Sequence, residues 1–297
     1  MIFSFLKRAL AFAGLAIASL SPSQAVAATA KPALWEVSDP DTKIYLFGTI
    51  HLLPRNYAWK SRTIDKAIAR SDTLVVETII DPRNPRALAA ELARLGFSRS
   101  LPPIANRIDP AKRPLLEAAI AKSGVPRNVF DQMETWAAAF TLLGVQFNEL
   151  GLKGEHGVEE TLRSAFAAAG KPVGQLETNS EQLGFFDTLP ENAQRALLEG
   201  SIEPSTTFSG DFSSMLQSWA SGDVEAIART FNGSLAASPE LRAALLQRRN
   251  YNWSNWIARR LAQPGTILVA VGAGHLAGDE SVQRYLQSRG YRVRRLQ

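Results

Sequence analysis

Short apolar runs lie toward both ends of this chain, and helical periodicity fills the space between them. Trp35-Glu36-Val37 and Lys43–Phe47 read as two strands around an Asp39-Pro40-Asp41 turn. The second run leads into Gly48-Thr49-Ile50-His51. Residues 61–71 place Ile64, Ala67 and Ile68 on one face, the spacing of an amphipathic helix. Thr73–Thr78 predicts a short buried strand that reaches Glu77, and Asp81-Pro82 and Asn84-Pro85 then break the chain. Helical spacing follows over 86–95, 110–122, 131–150 and 157–169. Lys171–Glu177 reads as a strand, residues 180–231 as helices, and 239–262 as one long helix ending before Pro264-Gly265. Thr266–Val271 (TILVAV) is a buried strand, and a helix at 279–289 and a strand at 291–296 follow. Strands at both ends with helices between them predict an α/β domain with a large helical insertion.

The first residues stand outside that pattern. Lys7 and Arg8 precede an apolar run, Ala9–Leu20, that is shorter than the roughly 20 residues a membrane span needs. Ala25-Val26-Ala27 supplies a small-residue cleavage site, with Ala28-Thr29-Ala30 as a second one. This is the layout of a secretory signal peptide, residues 1–27, followed by one domain over 28–297 and an exported, periplasmic or secreted location. No cysteine follows the run, so a lipoprotein anchor is not expected, and no later segment is apolar enough to span a membrane.

Composition narrows the chemistry. The 297 residues contain no cysteine, which excludes disulfides, thiolate metal sites and cysteine nucleophiles. The net charge of +5 loses two units if Lys7 and Arg8 are removed. The remaining arginine clusters carry no aromatic-basic motif, so nucleic acid is not an expected partner. Only three histidines are present: His51, His156 and His275.

Two of them are a matched pair. Ile44–Leu52 and Leu268–Leu276 are each an apolar strand followed by G-x-x-H-L, with Gly48 and Gly272 at the turns. Ligands of α/β sheets bind beyond the carboxyl ends of the strands, and glycine lets the backbone approach a ligand closely there. Two parallel copies would aim two imidazoles at one place, which suggests a metal completed by a carboxylate or water. Glu77 and Glu177 both end strands and are placed to reach the same edge, with capping a helix or pairing with an arginine as the alternative for each. His156 precedes Gly157 at a predicted helix start and reads as a surface residue. Trp253 and Trp256 lie three apart on the long helix beside Arg249 and read as core, with a substrate groove as the alternative.

These residues resemble the TraB/GumN family, which is related to the Tiki proteases and to erythromycin-esterase-like and ChaN-like proteins. The resemblance covers about residues 34–296. It rests on Leu46-Phe47-Gly48-Thr49-Ile50-His51, Val75-Val76-Glu77, Gly157-Val158-Glu159, Gly170-Lys171-Pro172-Val173 with Leu176-Glu177-Thr178, Arg249-Asn250 and Val271–Leu276. It implies a central mixed sheet with two strand–GxxH units facing each other. It also implies metal-dependent hydrolysis of a peptide or related carbonyl substrate, supported by a divalent ion (Mn, Co or Zn). On that basis His51 and His275 are metal ligands, and Glu77 is the third ligand or the base. Arg249 and Asn250 are a polar pair for a substrate carbonyl or oxyanion. Glu159 and Glu177 match acidic positions with no assigned role.

Other classes leave no motif. There is no H-E-x-x-H, no G-x-S-x-G, and Gly170-Lys171 runs into proline, so no P-loop forms. Gly272–Ala277 fits G-x-G-x-x-A, but too little chain follows it for a dinucleotide-binding half. Two alternatives remain: a metal-independent esterase-like enzyme with His51 as base, and a non-enzymatic protein that binds haem or an envelope partner.

Overall fold

The β-branched and aromatic runs from the two ends of the chain pair with one another. In the computed structural model, which describes residues 30–80, 84–98, 100–235 and 238–297, they form one sheet. The leader reading and the Asp81-Pro82 break fall outside the described residues. The strands are β1 (Leu34–Ser38), β2 (Thr42–Thr49), β3 (Thr73–Val76), β4 (Val173–Gln175), β5 (Gly265–Gly272) and β6 (Val293–Arg295). Their order is β4-β3-β5-β2-β1-β6. β4, β3, β5 and β2 are parallel, whereas β1 runs antiparallel to β2 and β6, so the sheet is mixed.

The parallel strands are covered on both faces, as parallel sheets require. The helices that flank the sheet are α1 (Arg62–Arg70), α6 (Val158–Ala168), α9 (Ser205–Ser221), α13 (Arg248–Leu261) and α14 (Val282–Ser288). Tyr45, Phe47, Leu74 and Leu268 meet Ile64 of α1, Leu162 and Phe166 of α6 and Trp219 of α9. On the other face Ile44, Leu46, Val75 and Val269 meet Trp253 and Ile257 of α13 and Leu286 of α14. A third core lies away from the sheet. It joins Leu116 of α3 (Arg113–Ser123), Phe130 of α4 (Arg127–Gln132), Leu142 of α5 (Thr135–Glu149) and Leu198 of α8 (Glu191–Ser201). With α2 (Pro85–Leu95) and α7 (Asn179–Asp187), these helices form the insertion between β3 and β5, which β4 interrupts.

Two predicted helices are broken in ways that matter. The 131–150 helix is split between α4 and α5, with Met133 extended. Buried Arg107 donates to the Met133 carbonyl (2.5 Å) and also to the carbonyls of Asp131 and Pro102, which takes Met133 out of a helical ladder. The 239–262 helix begins as α12 (Pro239–Arg242) and passes through a π-helical turn, Ala243–Gln247, before α13. A second π turn, Ala228–Asn232, lies between α10 (Val224–Ile227) and α11 (Gly233–Leu235). Such turns insert an extra residue and re-aim the side chains beyond them. The arginine-bearing β6 is an edge strand, as charge on an edge favours, and Arg294 pairs with Glu36 at 2.9 Å. Among the described residues no helix is long and apolar enough to cross a membrane.

Candidate active site

β2, β5 and β3 lie side by side and end together, so the residues just past them meet at one edge. Thr49 at the end of β2 is in register with Gly272 at the end of β5. The two G-x-x-H units are therefore adjacent and parallel, one residue out of step. A Cβ placed on Gly272 would stand 3.2 Å from Glu77 Oε1, 3.6 Å from His275 Cδ2 and 3.9 Å from His51 Nε2. The missing side chain of Gly272 is thus the space on which both histidines and Glu77 converge.

The histidines occupy unlike surroundings. His275 lies in a one-turn 3-10 helix, Ala273–Leu276, and is buried. Its Nε2 is 3.1 Å from Arg249 Nη1. Arginine can only donate, so Nε2 accepts and the ring proton is on Nδ1. That Nδ1–H donates to Asn250 Oδ1 at 2.6 Å. Burial lowers the His275 pKa to about 3, so the ring is neutral. His51 keeps 64% of its side-chain exposure, while its Nδ1 lies 2.7 Å from Glu159 Oε1. The Glu159 charge is the main reason the His51 pKa rises to about 9. Thr49 Oγ1 also donates to Glu159, fixing the carboxylate from the strand side. α6 delivers Glu159 because its first turn docks under this loop, with Val158 N–H donating to Ile50 O at 3.1 Å.

Three further charges are bound together behind the histidines. Arg249 Nη2 donates to Glu77 (2.6 Å) and Glu177 (2.8 Å), and all three side chains are buried. Glu77 also accepts from the Gly272 N–H (2.7 Å) and Gln182 Nε2 (3.2 Å). Burial pushes Glu77 upward, but Arg249 and the two histidines outweigh it and hold the carboxyl below its ordinary range. Glu177 has the opposite balance: burial dominates and leaves it raised. Trp253 is core, and its Nε1–H donates to Glu177 at 2.9 Å while its ring packs on His275. Asn250 Nδ2 donates to the Glu280 carbonyl (2.7 Å), so both ends of this amide have protein partners and hold His275 in place.

The structure therefore brings together His51, Glu77, Glu159, Glu177, Arg249, Asn250 and His275 around Gly272. His156 is half-buried beside exposed Glu155 and takes no part. Gln182 joins the network without a spacing signal of its own, Thr49 lies within the first motif, and Trp253 is the tryptophan whose spacing reads as core. Where a dinucleotide site would need a helix directly after β5, the 3-10 turn intervenes and α14 begins only at Val282.

The donor chemistry suits a divalent ion. Each imidazole is held through Nδ1 by an oxygen, as the outer partners of metal-bound histidines do, and an ionised carboxylate stands beside them. As placed, the side chains are not drawn into a coordination shell: among the described residues no group of three or more His, Cys, Asp or Glu forms one. Arg249 Nη1 lies against His275 Nε2 instead.

Behind this polar end opens a cavity of about 400 Å³. Its walls include Phe140, Leu143 and Phe147 of α5, Phe212 and Met215 of α9, and Leu245 of the π turn before α13.

An α/β sheet with two adjoining G-x-x-H turns defines the class, and the sequence comparison agrees. The chain belongs to the TraB/PrgY/gumN family, whose model matches residues 33–295. Two relatives are each named "Uncharacterized protein YbaP", one from Escherichia coli (strain K12) and one from Shigella flexneri. Each is 26% identical over 243 residues, covering 82% of this chain and 87% of the relative. No solved structure matches the chain significantly.

Proposed function

We propose that this protein is an exported hydrolase of carbonyl substrates that holds a divalent ion, Mn, Co or Zn, between His51, His275 and Glu77. The observation that supports the reading is the convergence of both imidazoles and the Glu77 carboxylate on the space over Gly272. When bound, the ion would polarise the carbonyl and lower the pKa of a bound water. Glu159 and Asn250 hold the two rings through Nδ1, which leaves His51 Nε2 open, whereas His275 Nε2 would have to give up its contact with Arg249 Nη1 to take the ion. The depressed pKa of Glu77 keeps it ionised, which suits a ligand better than a base. Arg249 Nη1, which donates to His275 Nε2, would donate to a substrate oxygen instead once that nitrogen takes the ion, with the guanidinium held in place by Glu177 and Glu77.

The decisive experiment is elemental analysis of purified protein beside the His51→Ala/His275→Ala double variant. About one divalent ion per wild-type chain is expected, lost in the variant without loss of circular-dichroism signal. A folded, metal-free wild type that hydrolyses no ester or amide with added Mn, Co or Zn would overturn the proposal.

A second reading draws on the Arg249–His275 contact. With His275 held by Arg249, His51 and Glu159 form a metal-independent base pair at the cavity mouth. Hydrolysis would then survive chelators and increase with pH toward 9, as His51 loses its proton.

A further inference from the structure

The polar end accounts for a small part of the cavity, and the rest of the wall has a chemistry of its own. Among the described residues, the charged or hydroxyl-bearing side chains of the lining are Thr49, His51, Glu77, Arg249 and His275, all at the sheet edge. The remainder is aliphatic or aromatic. Phe140, Leu143 and Phe147 recur along one face of α5, and Phe212 and Met215 oppose them from α9. Each of these side chains is only half-buried and lines the cavity, so part of its apolar surface faces that space. Concave, mostly apolar sites with a few convergent polar groups are the usual form of a small-molecule site.

We infer that the cavity binds the hydrocarbon chain of an uncharged acyl ester or amide, with its carbonyl at His51 and Arg249. The inference rests on the hydrolase reading for the position of the carbonyl, and on the wall alone for the chain. Three features select this ligand. A peptide extending along the wall would bury backbone N–H and C=O groups there. Among the described residues the wall offers no side-chain partner for them, and a buried group left unpaired loses the hydrogen bonds it made to water. Among the described lining residues an anionic head would find no free cation, because Arg249 is already bound by Glu77 and Glu177, and His51 by Glu159. The volume sets the length: about 400 Å³, at roughly 30 Å³ for each water-sized group, holds on the order of a dozen heavy atoms.

The test is displacement of the uncharged fluorescent dye N-phenyl-1-naphthylamine from the full-length protein by straight-chain amides. From hexanamide to decanamide, affinity should increase by up to roughly fourfold per methylene, the effect of burying each one. The gain should stop at about ten to twelve carbons, where the cavity is full. Decanoate should bind no better than decanamide. Leu143→Trp, which fills the cavity from α5, should weaken decanamide binding at least tenfold. Leu143→Ala should move the preferred length upward by two or three carbons, so the proposal does not depend on the larger variant folding. An affinity independent of chain length would overturn the inference. So would unchanged decanamide binding in both Leu143 variants, or stronger displacement by an acetylated leucine dipeptide amide than by decanamide. Metal content of the Leu143 variants, measured in parallel, keeps the two proposals separate. A chain-length series with no metal and no hydrolysis removes the hydrolase reading and leaves the cavity assignment standing. Metal-supported hydrolysis with no chain-length dependence does the reverse.

Discussion

At the residue scale, Arg249 is the group on which the polar end depends. It is one cation between two buried carboxylates, and removing one partner of such a pair leaves buried charge uncompensated. Arg249→Met should destabilise the fold by about 3–5 kcal/mol in urea unfolding. Adding Glu177→Gln should restore part of that loss, since one stranded charge is removed. Glu159 acts differently, through His51. Glu159→Gln keeps the shape but takes away the charge that orients and protonates the ring. Loss of an outer partner of this kind lowers metal affinity about 10–100-fold, and calorimetric titration with Mn or Zn would measure it. An unchanged affinity in that variant would remove Glu159 from the site. The pair of histidines is legible in the sequence because each follows a strand at the same offset. The partnership of Glu159 is not, because 110 residues separate it from Thr49 and no local pattern joins them.

At the scale of elements, the first turn of α6 shows why a glycine precedes Val158. Gly157 has an ordinary backbone angle (φ −63°), so conformation does not require it. Proximity does: a Cβ there would lie 2.1 Å from the His51 carbonyl oxygen. Gly157→Ala should push α6 away from the His51 loop and destabilise the protein by about 1–3 kcal/mol, as forced overpacking does. It should also break the His51–Glu159 contact, which would appear as a lowered His51 pKa in an NMR titration. Helical periodicity predicts most of these elements, yet it reads 239–262 as one helix and gives no hint of the π turn. That turn ends two residues before Arg249 and places Leu245 on the cavity wall. The wall was hidden for a related reason. Phe140, Leu143 and Phe147 share the spacing of a core-facing stripe, and spacing does not reveal whether the space opposite is filled.

At the scale of the whole molecule, the site makes stability depend on pH from both sides. Folded His275 is neutral down to about pH 3, whereas the unfolded residue takes a proton near 6.5. Stability is therefore lost as pH falls through that interval, by at most about 1.4 kcal/mol per pH unit. Glu77 and Glu159, held below their ordinary range, add to the acid limb. Their contributions are present above the unfolded value near 4.3 and disappear as pH falls further. His51 has the opposite sign: its contribution is present below about 6.5 and is lost as pH rises through about 9. Melting temperature of the metal-free protein should peak near neutrality, and His275→Gln should flatten the limb between pH 6.5 and 4.5. An acid limb equally steep in that variant would show that His275 is not its source.

The position of β5 also governs when the molecule can exist at all. It lies between β2 and β3, so the centre of the sheet is completed by a segment translated long after both neighbours. Until Gly265–Gly272 has been synthesised, β2 and β3 each present an unpaired edge to solvent, the template from which aggregates grow. A chain cut short before β5 would lack both the central strand and the turn that carries His275, so it would not be a smaller working protein. Closure of the centre of the sheet and creation of the site are one event, because β5 and the turn after it bring Gly272 and His275.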